Sequence, residues 1–293
     1  MGERFSGTLF IVATPIGNLE DITLRALRVL RECDLIIAED TRRSRQLLQH
    51  YGIKKPFERS LYQGVERERV EHFVRKLKEG TKITLISDAG TPLISDPGYE
   101  LVRSAIAENI AVIPIPGPTA LIAALVASGF STDRFIFEGV PPKKPKAKRE
   151  FFEQIAKEPR TIVLYESPYR VLDTLEVMSK CLPDRQVALC RELTKVHEEI
   201  LRGTAQGILE QLKSRPAIKG EITLVLSSAS VQEESEEASK DLELSVVEHV
   251  QKLVAGGLEK KEAIKQVAQL RGLLKREVYE KVIGKNARVR FLR

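Results

Sequence analysis

No apolar run in this chain of 293 residues approaches the roughly 18 residues that a membrane-spanning helix needs, so no such span is expected. Leu9 to Ala13 is too short for the apolar core of a signal peptide. The opening Met-Gly-Glu-Arg-Phe-Ser fits the N-myristoylation pattern, but so loosely that it carries no weight. Cysteine is scarce. Cys33, Cys181 and Cys190 are odd in number and lack metal-ligand spacing, which points to reduced structural thiols and a cytoplasmic location. The four histidines, His50, His72, His197 and His249, are scattered without zinc spacing, so no metal site is expected. The dinucleotide fingerprint G-x-G-x-x-G does not follow the first strand-like segment, and no phosphate-cradling G-x-x-x-x-G-K-[ST] occurs, which argues against a pyrophosphate ligand. No Ser sits in G-x-S-x-G, so a hydrolase nucleophile is unsupported. No internal repeat is strong enough to use.

What the chain does have is enough apolar residue, 42%, to bury a sizeable core. Its formal net charge of +6 is concentrated at one end: residues 242–293 hold 12 Lys and Arg against 6 Asp and Glu. A second basic cluster, Lys143, Lys144, Lys146, Lys148 and Arg149, stands among Pro141, Pro142 and Pro145 and reads as an exposed loop. Both features suit a phosphate backbone, which binds cations with release of counterions, though each alone also suits a solvated surface.

From Thr8 to about Gly117, short apolar strands at Leu9 to Ala13, Leu35 to Ala38, Ile83 to Ile86 and Ile110 to Ile115 alternate with amphipathic helices. In the first helix Leu24, Leu27 and Leu30 recur after an N-cap expected at Asp21, and another helix is expected from about Val65 to Glu79. This is α/β grammar with a mostly parallel sheet. Residues 1–117 therefore read as one α/β domain. Residues 118–227 read as a second, with a small-residue helix at Thr119 to Ala127 and strands at Phe135 to Phe137, Thr161 to Tyr165, Val187 to Cys190 and Ile222 to Leu226. Residues 228–241, rich in Ser, Glu and Ala, read as an acidic flexible linker. In residues 242–293 a helix near Leu244 to Val254, a face of Ala263, Ile264, Val267 and Ala268, a turn at Gly272 and a face of Val278, Tyr279, Val282 and Ile283 predict a helix-turn-helix tail, with Lys275 and Arg276 as candidate RNA contacts.

Three loops carry the candidate chemistry. Thr14-Pro15-Ile16-Gly17-Asn18 follows the first strand, and Asp88-Ala-Gly-Thr-Pro-Leu-Ile-Ser-Asp-Pro-Gly98 follows a later one. Ile115-Pro116-Gly117-Pro118-Thr119-Ala120 opens the second domain. Parallel strands bring the first two to one sheet edge, where α/β ligands bind, and the third lies close by, so a cleft between domains is expected. Asp88 and Asp96 offer carboxylates to hydroxyl or amine donors. His197-Glu198-Glu199 has reactive groups but reads as solvated strand surface.

The segments Ala13-Thr-Pro-Ile-Gly-Asn18, Ala38-Glu-Asp-Thr-Arg42, Ser87 to Gly98, Pro116-Gly-Pro-Thr-Ala120, Tyr165-Glu-Ser-Pro-Tyr-Arg170 and Glu192-Leu-Thr-Lys195 form an ordered set. It resembles that of the bacterial ribosomal RNA small subunit methyltransferase I family, in the tetrapyrrole methylase superfamily. The resemblance covers Gly7 to about Ser227, and the tail is similar to a module that many members carry. It implies a two-domain class III methyltransferase fold with a small all-α tail, usually a homodimer, with S-adenosylmethionine bound between the domains. The implied reaction is 2′-O-methylation of a cytidine in the decoding centre of small-subunit rRNA, either free or within the assembled 30S subunit. Carried over by position, Pro15, Ile16, Asp88, Ala89, Gly90 and Ile94 would form the cofactor loop region. Thr119 and Ala120 would hold the cofactor's carboxylate or its neighbourhood, and Tyr165 and Glu166 would border the adenine. Leu193 and Glu221 would add backbone contacts. Where members carry a His- and Asn-rich stretch, residues 61–66 here read Leu-Tyr-Gln-Gly-Val-Glu.

Transfer from a sulfonium is an in-line displacement that depends chiefly on alignment, helped by a group that takes the hydroxyl proton or stabilises the alkoxide. Glu39, Asp40 and Arg42 are the first candidates for that group, with Asn18 and Lys195 next. A cap and ion pair between Asp40 and Arg42 would serve structure instead. Two other readings stay open: a small-molecule methyltransferase acting on a tetrapyrrole-like acid, and an RNA-binding protein without catalysis.

Overall fold

The computed structural model describes residues 7–38, 40–59, 66–229 and 244–283. Its described residues divide into two compact units, one ending at Ala229 and one beginning at Leu244.

The first unit contains two five-stranded sheets. In the first, β1 (Thr8–Val12), β2 (Leu35–Ala38), β3 (Phe57–Arg59), β4 (Lys82–Ile86) and β5 (Ala111–Ile115) are all parallel, in the order β3-β2-β4-β1-β5. Their near-continuous apolar runs follow from burial on both faces. Successive residues alternate sides, so Leu35 and Ile37 join one apolar cluster while Ile36 and Ala38 join the other. The helices α1 (Leu24–Glu32) and α2 (Thr41–His50) cover one face, and α3 (Glu66–Lys78) and α4 (Tyr99–Ala107) cover the opposite one. The cap of α1 differs from expectation. Thr23, not Asp21, accepts the Ala26 N–H, because Asp21 already ends a 3-10 turn over Leu19–Asp21 that is capped by Asn18. The buried stripe of α1 is accordingly Ala26, Val29 and Leu30, and Leu24 is exposed.

After β5, the helix α5 (Ala120–Ser128) leads to the second sheet. Its strands β6 (Phe135–Phe137), β7 (Thr161–Glu166), β8 (Gln186–Arg191), β9 (Glu199–Thr204) and β10 (Ile222–Leu226) lie in the order β6-β7-β10-β8-β9, and only β6 and β7 pair in parallel. The helices α6 (Pro145–Ile155), α7 (Val171–Cys181) and α8 (Ala205–Lys213) pack on one face. Helix α5 packs on the other, in an apolar cluster that also takes in Ile16 from the loop after β1.

The basic segment at residues 143–149 is not the exposed loop that its prolines suggest. Pro145 occupies the first turn of α6, where its missing N–H has no helical partner to lose. Lys148 points inward, is 1% exposed, and donates to Asp173 Oδ2 at 2.5 Å and Thr174 Oγ1 at 3.0 Å. It is therefore removed from the RNA-binding set. Lys146 and Arg149 are exposed but pair with Glu150 and Glu153 one turn on, while Lys143 and Lys144 are exposed ahead of the helix.

The second unit is a three-helix cluster of α9 (Val246–Ala255), α10 (Lys260–Leu270) and α11 (Lys275–Ile283) around Val250, Ala263, Ile264, Val267, Ala268 and Val278. Ser245 and Glu248 close a capping box on α9. Lys275 and Arg276 are exposed in the first turn of α11, and so is Tyr279, which sequence periodicity had placed on a packed face. Residues 230–243, most of the expected linker, lie outside the described residues, as do Glu39, residues 60–65 and 284–293.

Candidate active site

Because β1, β2, β4 and β5 run parallel, the segments after them emerge on one sheet edge, and hydrogen bonds tie three of these segments together. Thr14 and Gly90 exchange both backbone bonds, at 2.8 and 2.9 Å. The Thr91 hydroxyl donates to the Pro118 carbonyl at 3.2 Å, fastening the loop ahead of α5. Gly90 holds φ at +84°, and a Cβ there would stand 3.2 Å from Ile16. Leu93 and Ser95 also have left-handed φ, +73° and +66°, a conformation that costs a side chain of order 1–3 kcal/mol and collects at ligand sites.

These loops and the ends of β7 and β10 enclose a cavity of about 240 Å³. Of the residues expected at a cofactor, Ile16, Ala89, Gly90, Ile94, Ala120, Tyr165, Glu166 and Glu221 line it, along with Asp96. Past Ile16, Ala89 and Glu221 it adjoins an outer cavity of about 460 Å³ that takes in Pro15, Asp88 and Lys195. Thr119 and Leu193 line neither. Thr119 is the N-cap of α5, and its hydroxyl lies beside that of Tyr165, whose burial pushes the phenol up from its ordinary range. Leu193 is buried in the apolar cluster with Ile16.

The buried wall of the inner cavity is a polar network. The Glu166 side chain has no solvent exposure and forms an ion pair with Arg170 at 2.7 Å. It also accepts from the Ser167 N–H at 2.6 Å and the Thr174 hydroxyl at 2.5 Å, and Thr174 accepts in turn from Lys148.

The candidates for proton or charge handling separate clearly. Asp40 caps α2 through the Arg42 N–H at 2.8 Å and grips the Arg42 guanidinium at 3.2 and 3.1 Å, which holds its carboxyl below the usual range. Neither residue lines the inner or the outer cavity. Asn18 spends its carbonyl on the Glu20 N–H at 3.0 Å. Lys195 lines the outer cavity, its ammonium held by Glu192 at 2.8 Å and Glu221 at 3.0 Å. Burial would lower the Lys195 pKa, but the two carboxylates outweigh it and keep the group cationic. Opposite stands Arg43, 3.8 Å from Asp88, whose other oxygen accepts the Asp40 N–H at 3.0 Å. Arg43, Gln46, Ile222 and Thr223 are lining residues that no sequence signal had identified.

Residues 8–209, β1 through most of α8, match the family described as Tetrapyrrole (Corrin/Porphyrin) Methylases. The ribosomal RNA small subunit methyltransferase I of Halalkalibacterium halodurans is 47% identical over 273 residues, covering 93% of each chain. The chain belongs to the ribosomal RNA small subunit methyltransferase I family.

Family membership makes it a methyltransferase and extends to smaller relatives. The Thermotoga maritima member is 48% identical over 221 residues, which is 75% of this chain but 98% of its own length. Solved structures share the fold at low identity. The methyltransferase CobJ superposes with TM-score 0.56 at 18% identity, covering 77% of this chain and 95% of its own. Uroporphyrin-III C-methyl transferase from Thermus thermophilus, in complex with S-adenyl homocysteine, gives 0.52 at 18% identity, covering 76% and 98%. Among the described residues, no helix is long and apolar enough to cross a membrane, and no cluster of three or more His, Cys, Asp or Glu is placed to hold a metal.

Proposed function

We propose that this chain transfers a methyl group from S-adenosylmethionine to the 2′-oxygen of a cytidine ribose in the decoding centre of small-subunit rRNA. The observation that supports the rRNA part of this reading is identity of 47% to the ribosomal RNA small subunit methyltransferase I of Halalkalibacterium halodurans over nearly the whole length of both chains. The two adjoining cavities suit such a reaction. The inner one offers apolar walls from Ile16, Ile94 and Tyr165 for a planar base. Gly90, without a Cβ, leaves room for close backbone approach, and the carboxylate of Asp96 favours a cationic ligand. S-adenosylmethionine fits this donor set and supplies, when bound, an activated methyl group.

The chain's own work is alignment and charge. The stitched loops fix the cavity walls relative to one another, so a ribose entering from the outer cavity meets a preformed site. Lys195, cationic and lining the outer cavity, would stabilise negative charge developing on a ribose oxygen there. Asp40, kept ionised by Arg42, is a weak base and acts as a cap. Lys143 and Lys144 and the first turn of α11 would hold phosphates of the rRNA or the assembled subunit. The protein would work in the cytoplasm as a homodimer. Exposed Ile122 and Val126 on α5, a helix apolar on all sides, support a second copy.

The test is transfer of labelled methyl to small-subunit particles that lack their native modifications, with mapping of the labelled nucleotide. Label on a cytidine 2′-oxygen in the decoding centre is expected. No label on particles or naked rRNA, with cofactor binding confirmed, would reject the reading and direct the search to small-molecule acceptors.

A further inference from the structure

Helix α2 is a partition. Arg43, Gln46 and Leu47, on one side, line the outer cavity of the candidate active site. Arg45, Leu48 and Gln49, on the other, line a separate cavity of about 450 Å³ whose remaining wall is the turn into β3, with Lys54, Lys55 and Phe57. The spacing i, i+3, i+4 on each side places the two cavities one helix diameter apart, about 10–12 Å.

The second cavity has a distinct chemistry. Among the described residues, three cationic side chains line it and no carboxylate does. The Arg45 guanidinium lies 5.9 Å from the centre of the Phe57 ring, and Leu48 and Ile53 supply an apolar floor. Lys55 is committed to the Cys33 carbonyl at 2.6 Å, while Arg45 and Lys54 are exposed. Helix α2 itself has three arginines and no acidic residue over Thr41–His50. A planar aromatic surface edged by guanidinium and ammonium groups is how proteins take unstacked bases together with their phosphates.

We propose that this cavity is a second nucleotide subsite, which holds a single-stranded RNA residue flanking the methylated one. The strand would cross the Arg42 and Arg43 side of α2, present its target ribose to the outer cavity, and place the flanking base against Phe57 with its phosphate on Arg45 and Lys54. This rests on the RNA reading above.

The test uses the full chain with fluorescein-labelled naked small-subunit rRNA fragment, by anisotropy at several salt concentrations, with cofactor affinity read by calorimetry and methyl transfer by label. The double variant Arg45→Ala with Lys54→Ala should bind the RNA about tenfold more weakly and lose about 0.7 from the salt slope, the amount for one single-strand phosphate contact. Phe57→Leu, which keeps an apolar side chain, should weaken RNA binding about fivefold or more by loss of stacking. Cofactor affinity should be unchanged in both. A double variant with unaltered salt slope and RNA affinity would overturn the subsite, whatever the methyl assay shows. Normal RNA binding by the unsubstituted chain without methyl transfer would overturn only the 2′-O reading, because anisotropy still reports on the cavity. If the unsubstituted chain binds no RNA, both fall.

Discussion

Glu166→Gln tests whether the network behind the inner cavity depends on a charge. The Glu166 carboxylate receives three donors: the Ser167 N–H, the Arg170 guanidinium and the Thr174 hydroxyl. Glutamine keeps the shape but replaces one oxygen with a donor. Its least costly rotamer turns the amide nitrogen to Thr174, whose oxygen can accept a second bond, and leaves the carbonyl for Ser167 and Arg170. The Thr174 hydroxyl hydrogen then loses its acceptor in a site with no solvent, which costs about 1–3 kcal/mol. The ion pair with Arg170, itself one-fifth exposed, also weakens. The expected loss is about 2–3 kcal/mol. Lys148→Met should cost less, about 1 kcal/mol, because Asp173 is mostly exposed and rehydrates while Thr174 keeps its bond to Glu166. Urea unfolding followed by far-ultraviolet circular dichroism measures both, since the chain has no tryptophan to report by fluorescence. Glu166→Gln should also weaken binding of S-adenosylmethionine by about tenfold, the equivalent of 1.4 kcal/mol, as the wall it anchors shifts. The reasoning fails if Glu166→Gln stays within about 0.5 kcal/mol of the unsubstituted protein, or if Lys148→Met is the more damaging change.

Three other outcomes are expected. Glu199 accepts two bonds from Arg215 at 2.7 Å and one from Arg191 at 3.1 Å, and these hold its carboxyl at about 2 against the opposing effect of burial. A depressed acid stabilises above its unfolded pKa and ceases to as pH falls to the folded one. Glu199→Gln should therefore cost about 1–2 kcal/mol at pH 7, with the gap from the unsubstituted protein closing between about pH 4.5 and 2 in urea titrations. Arg185 is buried with no carboxylate bonded to it among the described residues and donates to the carbonyls of Ile155, Glu158, Arg160 and Ser227, with burial lowering its pKa to about 10 against the charge of Glu158. Arg185→Met orphans these four acceptors and should cost about 2–4 kcal/mol by urea denaturation, whereas a loss under about 1 kcal/mol would mean that water replaces the guanidinium. Burial pushes the Cys190 thiol up to about 11 and also raises Cys33, so at pH 8 a disulfide reagent should label Cys190 and Cys33 only on unfolding. Rapid release of three thiols from the native protein would contradict this.

The parts of the fold that were legible in the sequence are those whose cause is local. Strands buried on both faces appear as unbroken apolar runs, so β1, β2, β4 and β10 are read within a residue of their ends. The strands that were missed, or read only at Glu199 with His197 and Glu198 wrongly included, lack that signature. Phe57–Arg59 is three residues long at an edge of the first sheet, and Glu199–Thr204, at an edge of the second sheet, is polar at both ends. The same distinction applies in the site. Glycine and proline marked the three loops that meet at Thr14, Gly90 and Pro118, because turn chemistry is a property of the loop itself.

Pairings across the chain carried no such mark. Lys148 stands among lysines and prolines in the sequence, yet its environment is set by Asp173 and Thr174, 25 and 26 residues away on α7. Charge clustering in sequence thus suggested an RNA contact where the fold made a buried brace. Arg45 and Phe57 show the converse. Twelve positions apart and unremarkable in sequence, they become a cation over an aromatic ring only because β3 pairs in parallel with β2 and brings the turn after α2 back against that helix. Basic residues in this chain are therefore better assigned by what the fold places opposite them, a carboxylate or an aromatic ring beside an open cavity, than by how closely they cluster in sequence.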